Sequence, residues 1–179
     1  TQVLFPSREA KTYKRVESTS TSIGDPLYVN FGGFVPISTV DWRGRAACTV
    51  FLRGCPARCF YCHNASLQGG EDLRDIDEIL EMIRSSRMLA GAVVFSGGEP
   101  TLQGPALMHL ATVAKKMRFS VGLHTNGMFP RVIEALLKEH LVDMIALDLK
   151  TTWEDYDNLL GLPAVDAVKG SLDLCMRAR

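Results

Sequence analysis

Three cysteines, Cys55, Cys59 and Cys62, stand within the twelve residues RGCPARCFYCHN (Arg53–Asn64), while the whole chain of 179 residues carries five. Thiolates are soft ligands suited to zinc or to iron–sulfur clusters, and a C-x3-C-x2-C spacing lets one short loop wrap its sulfurs around a compact inorganic centre. Two ligand sets are open at this point. With His63 as a fourth ligand, the loop makes a closed Cys3His zinc site of the structural kind. With thiolates alone it holds a cubic four-iron cluster and leaves one iron without a protein ligand, free for a small molecule. A disulfide framework fits less well, because the odd count and the clustering suit a reducing compartment.

Other residue types add to the same chemistry. In SGGEPTLQ (Ser96–Gln103), Gly97 and Gly98 let the backbone approach a ligand closely, and Glu99 can accept from an ammonium group. Asp148 and Lys150, two apart at the end of an apolar run, point to the same side, where a lysine can meet a carboxylate and an aspartate a cation. Cys48 and Cys175 read as small buried hydrophobes, and His109 and His140 as surface or packing residues on helices.

Four short apolar runs carry these groups: Cys48–Arg53, Ala92–Ser96, Phe119–Thr125 and Val142–Lys150. Each is β-branched or apolar and is followed by glycine, asparagine or a charged residue, so each reads as a buried strand. Between them, residues 75–89, 106–117 and 131–140 repeat apolar positions at helical spacing, and Asp75 and Asp77 suit a helix start. Strands alternating with helices make βαβ units and a parallel sheet, whose binding groups gather at the carboxyl ends of the strands. The cysteine loop, the Gly-Gly-Glu segment, the Asn126–Gly127 turn and Lys150 all fall there. Residues 165–179 read as a final helix with no strand after it, as in a small sheet or a fragment of a larger barrel.

The composition narrows the partners. Lys plus Arg and Asp plus Glu both number 20, so no net field favours nucleic acid or an anionic membrane. Apolar residues are 46% and charged residues 22%, an ordinary globular balance. No apolar run approaches the roughly 20 residues of a membrane helix, and the first residues lack a secretory pattern, which makes a cytoplasmic setting the expectation. Residues 1–30, rich in Ser and Thr, read as a poorly ordered arm or extension, and 31–179 as one domain.

The cysteine triplet with an aromatic residue, Tyr61, just before its last cysteine, together with SGGEPTLQ, resembles the radical S-adenosylmethionine (SAM) superfamily over roughly residues 31–160. YCHN (Tyr61–Asn64), HTNG (His124–Gly127) and DLK (Asp148–Lys150) resemble more specifically the glycyl-radical-enzyme activases. Residues 38–55 and 141–156 most resemble the anaerobic ribonucleoside-triphosphate reductase activating proteins within that group. The resemblance implies an α/β fold, a partial (β/α) barrel of parallel strands, either small in itself or cut short at its C-terminal side. It implies a [4Fe-4S] cluster on Cys55, Cys59 and Cys62. It implies S-adenosyl-L-methionine held among Tyr61, Asn64, Gly97, Gly98, Glu99, Thr125, Asn126, Asp148 and Lys150, with a monovalent cation near Asp148. The implied partners are a glycyl radical enzyme, anaerobic ribonucleotide reductase by the nearest likeness, and a flavodoxin- or ferredoxin-type electron donor.

Two positions depart from that pattern. Pyruvate formate-lyase activating enzymes carry aspartate where this chain has His124, a poor ligand for a hard cation. In DWRGR, Trp42 and Ala46 replace a glycine and an arginine of the activases' Asp-Gly-x-Gly-x-Arg segment, which touches the peptide substrate. The rival readings are a radical enzyme acting on a small molecule, as the 7-carboxy-7-deazaguanine synthases do, and a non-enzymatic zinc-stabilised binding domain.

Overall fold

The computed structural model of the chain describes residues 27–178. Most of the expected N-terminal arm, residues 1–26, lies outside the described residues, as does Arg179. The four expected strands form as β2 (Ala47–Leu52), β4 (Ala92–Gly97), β5 (Ser120–Thr125) and β6 (Met144–Leu147), all mutually parallel. Two further strands extend the sheet, β1 (Tyr28–Ser38) and β3 (Leu73–Asp75), in the order β3-β1-β2-β4-β5-β6. Both run antiparallel to their neighbours, an antiparallel margin on a parallel sheet.

β1 is hidden in the sequence because it contains Gly32, Gly33 and Pro36, residues that ordinarily interrupt a strand. It accommodates them through register shifts between Phe31 and Gly33 and between Val35 and Ser38. The last parallel strand is shorter than the run Val142–Lys150, because the chain leaves the sheet after Leu147 and turns Asp148 and Lys150 toward the site.

Helices α1 (Ile76–Ser85), α2 (Gly104–Lys116) and α3 (Pro130–Lys138) follow β3, β4 and β5. Asp75 caps α1 by accepting from the Asp77 N–H at 2.9 Å, which satisfies one of the donors a helix start leaves free. The α1 residues Ile76, Ile79, Leu80 and Ile83 are buried against the sheet, as their spacing demands. Alternate strand residues, among them Val50, Leu52, Val93, Phe95, Val121 and Leu123, meet these helices in one apolar core. Burying each such side chain contributes about 1.5–3 kcal/mol. Cys48 belongs to this core, and burial pushes its thiol pKa up to about 11, as a structural cysteine should show. Cys175 packs at its margin.

The opposite sheet face carries small residues, Ala47, Ala92 and Val94, on which Trp42 packs. Gly122 makes room for that ring, since a Cβ there would lie 3.1 Å from Trp42 Cε3. After β6 come α4 (Tyr156–Leu160), ended by Gly161 in the left-handed region (φ 74°), and α5 (Val165–Arg177). Among the described residues no helix is long and apolar enough to cross a membrane.

Candidate active site

The site forms where β2 and β4 end side by side. The Gly98 N–H donates to Leu52 O and the Glu99 N–H to Gly54 O, both at 2.8 Å. Gly97 sits at φ 123°, and a Cβ on it would lie 2.3 Å from Leu52 O; one on Gly98 would lie 2.4 Å from Gly54 O. These glycines are therefore required by the approach of one strand end to the other, whereas the sequence suggested clearance for a ligand. Both still line the cavity described below.

The cysteine loop is tied down on its β1 side. The Arg53 guanidinium donates to Phe31 O (3.2 Å), Ser66 O (2.8 Å) and Gly69 O (3.2 Å). The Gln103 amide nitrogen donates to Asn30 O and Arg53 O, each at 2.9 Å, and its oxygen accepts from the Asn30 N–H at 2.8 Å. Neither support was assigned a role from the sequence, because both act on backbone groups distant along the chain.

On its other side the loop rests on a second, smaller core. Ala57 and Cys59 are buried with Tyr156, Leu160, Ala164 and Val168, and Cys55 and Cys62 pack against the same cluster. Tyr156 stacks on Trp153 with ring centroids 5.2 Å apart. Two tyrosines then clasp Lys150: Tyr61 Oη donates to its carbonyl at 3.1 Å, and Tyr156 Oη accepts from its N–H at 3.4 Å.

The three thiols open into a cavity of about 660 Å³, within the size range of small-molecule sites. Tyr61 and Asn64 line it from the cysteine loop, Gly97 and Gly98 from the end of β4, Thr125 and Asn126 from β5, and Asp148 and Lys150 from the end of β6. His63, Gln68, Ser96 and His124 also line it. The Asn64 amide donates to Gly97 O at 3.2 Å, linking the first two of these segments.

Glu99 stands apart from the other expected site residues. It is fully buried and does not line the cavity. Its carboxylate accepts from the Thr101 N–H (3.0 Å) and hydroxyl, the Thr125 hydroxyl (2.7 Å) and the Asn126 N–H (2.7 Å). Burial raises its pKa, against the pull of these four donors. It binds the ends of β4 and β5 together rather than facing a ligand ammonium.

Charge and donors collect around the sulfurs. Burial raises the pKa of Cys55 and of Cys59, and each thiolate would also feel its neighbours. The Lys150 charge opposes this at Cys59. Burial works against the Lys150 ammonium, yet its hydrogen bond and ion pair with Asp148 hold its pKa up. The Asn126 amide nitrogen lies 3.6 Å from Cys55 Sγ.

His124 Nε2 is 2.8 Å from the Asp41 carbonyl, and because a carbonyl only accepts, Nε2 carries the proton. Its ring thus joins the DWRGR loop to the cavity wall. Asp41 itself accepts from the Thr49 hydroxyl at 2.7 Å, and Arg45 donates to Ser120 Oγ at 2.6 Å, at the start of β5 and away from the cavity.

This donor set suits an iron–sulfur centre: three thiols, a lysine and an amide that can stabilise negative charge on sulfur, and an adjoining cavity. Among the described residues no three His, Cys, Asp or Glu side chains converge on one point as a single ion requires. His63 is exposed and completes no four-ligand set of that kind.

Comparison with known proteins agrees with the geometry. The model of the Radical SAM superfamily matches residues 49–179. A Methanocaldococcus jannaschii protein named as a glycyl-radical enzyme activating enzyme is 34% identical over 154 residues, covering 81% of this chain and 62% of its own length. Pyruvate formate-lyase 1-activating enzyme of Escherichia coli is 33% identical over 139 residues, covering 72% of this chain and 55% of its own. The chain thus spans less than two thirds of these relatives. Among solved structures, QueE from Escherichia coli aligns with a TM-score of 0.51 at 16% identity, over 70% of this chain and 61% of its own. TYW1 with a lysine-pyruvate adduct bound aligns with a TM-score of 0.52 at 18% identity, over 73% and 52%. These two likenesses show the fold alone.

Proposed function

Because the chain belongs to the Radical SAM superfamily, we propose that it binds a [4Fe-4S] cluster through Cys55, Cys59 and Cys62 and uses S-adenosyl-L-methionine to install a glycyl radical on a partner enzyme. The observation that carries this reading is the opening of three thiols from one loop into a cavity walled by the carboxyl ends of four parallel strands. The names of the two relatives above support the activase role. The resemblance of residues 38–55 and 141–156 to the anaerobic ribonucleoside-triphosphate reductase activating proteins is the ground for proposing that reductase as the partner.

Held by Cys55, Cys59 and Cys62, the cluster would supply an electron for reductive cleavage of SAM's sulfonium carbon–sulfur bond, chemistry able to remove a hydrogen atom from a glycine of the partner. The protein's own part is positioning. The Lys150 ammonium, whose backbone Tyr61 and Tyr156 clasp and which lines the cavity, is the proposed partner of the cofactor's carboxylate. The backbone at Gly97 and Gly98, at the cavity wall, offers polar groups to its ammonium, a role that the buried Glu99 carboxylate leaves to them. Asp148, the carboxylate in the cavity lining and the ion-pair partner of Lys150, is the proposed ligand of a monovalent cation, and His124 has Nε2 committed to the Asp41 carbonyl. A flavodoxin- or ferredoxin-type protein is the proposed electron source.

The test is direct. The reduced protein is incubated without oxygen with SAM and purified glycyl radical enzymes, and electron paramagnetic resonance spectra are recorded. A glycyl doublet on the reductase is expected. SAM cleavage with no doublet on any partner would remove the activase assignment.

A further inference from the structure

Asn126 and Glu99 form a buried relay behind the cysteine loop whose geometry allows one arrangement. The Asn126 N–H is held by Glu99 Oε2 at 2.7 Å. The Thr125 hydroxyl gives its single proton to Glu99 and accepts from the Gly127 N–H at 3.1 Å. Asn126 Oδ1 accepts from the Met128 N–H at 3.0 Å, and this decides which end of the amide is oxygen. The remaining end, Nδ2, therefore points its hydrogens toward Cys55 Sγ, 3.6 Å away. Asn126 is only 7% exposed and Glu99 is fully buried, so water competes little for these bonds.

We propose that Asn126 is a positioning residue that sets the reduction potential of the centre: its Nδ2–H donates to the Cys55 sulfur, and Glu99 holds it in place to do so. The inference rests on the reading that Cys55 is a cluster ligand. Hydrogen bonds to cluster sulfurs are among the protein's means of setting potential. Reduction adds one electron and hence negative charge to the cluster and its thiolates, so a fixed donor stabilises the reduced form more than the oxidised one and raises the potential. The same amide was expected from the sequence to contact SAM; the bond to Cys55 gives it a task in the absence of that cofactor.

The experiment begins with unsubstituted protein, labelled with 15N in its asparagine side chains, reconstituted and reduced anaerobically without SAM. Pulsed electron paramagnetic resonance is expected to show a 15N hyperfine coupling from one amide. Its absence from a loaded cluster overturns the inference, whatever the variants do. Redox titration then compares Asn126→Asp, which keeps an acceptor for the Met128 N–H but replaces the donor with an anion, and Asn126→Ala. In Asn126→Asp the equilibrium constant for one-electron reduction should fall on the order of tenfold, a negative shift of about 59 mV. Asn126→Ala should shift the same way by less. Unchanged potentials in variants that load iron and sulfide overturn the proposal, since a merely structural role would lower loading and leave the potential alone. Failure of the unsubstituted protein to form any cluster overturns the proposed function instead, and this inference with it.

Discussion

Two of the apolar cores among the described residues differ in origin. The larger one, between the sheet and α1–α3, is filled by residues that alternate along strands or recur at helical spacing, and its cysteine, Cys48, is an inert filler. The smaller one lies under the cysteine loop, and there Cys59 itself is part of the packing, against Tyr156, Leu160 and Val168 from the far end of the chain. The first builds the sheet, and the second aims the chemistry. Stability and site geometry are thus carried by different residues, and substitutions in the two cores should fail differently.

Phe95→Ala in the larger core should have the largest effect. Phe95 is completely buried on the central strand β4, and truncating such a ring costs about 3–5 kcal/mol. Denaturant unfolding should show a lower midpoint by every probe at once. Leu160→Ala in the smaller core, also fully buried, is expected to cost about 2–4 kcal/mol, but locally. Hydrogen exchange should then speed up over residues 55–62 and 153–168 while the strands stay protected. A uniform loss of protection would merge the two cores into one cooperative unit.

The cysteines sharpen the contrast through pH. Cys48 ionises near 11 when folded and near its ordinary 9.0 when unfolded, so the unfolded chain releases this proton first. Its contribution is intact below about pH 9 and declines as pH rises toward 11, by about 2–3 kcal/mol in all. Cys48→Ala should flatten that alkaline decline, measured as unfolding free energy against pH; the same slope in the variant would contradict the assignment.

Tyr156→Phe should have the smallest effect. It keeps the ring and removes the long 3.4 Å bond to the Lys150 N–H, at a cost of about 0.5–1 kcal/mol. SAM affinity should weaken modestly with the sheet untouched. Equal affinity in both proteins would show that Tyr61 alone holds Lys150.

The larger core and the cysteine triplet were legible in the sequence because both are written locally, one as periodicity and the other as spacing. Asn64, Thr125, Asn126, Asp148 and Lys150 do line the cavity, as the rule that sites form at the carboxyl ends of parallel strands leads one to expect. The smaller core was not legible, since Tyr156 and Leu160 belong to a helix of five residues, too short to show a period. Glu99 shows the other limit. Its residue type suits an ammonium, but only the fold reveals that Thr101, Thr125 and Asn126 occupy the carboxylate. β1 stayed hidden behind its own glycines and proline until β2 and β3 paired with it.

Iron and acid-labile sulfide, assayed after anaerobic reconstitution of the natural sequence and of Cys59→Ser, bear most directly on whether one loop of three sulfurs is a cluster cradle. About four of each per chain are predicted for the former and a large loss for the latter. A single zinc ion without sulfide, or a cluster retained in full without the Cys59 sulfur, would contradict it.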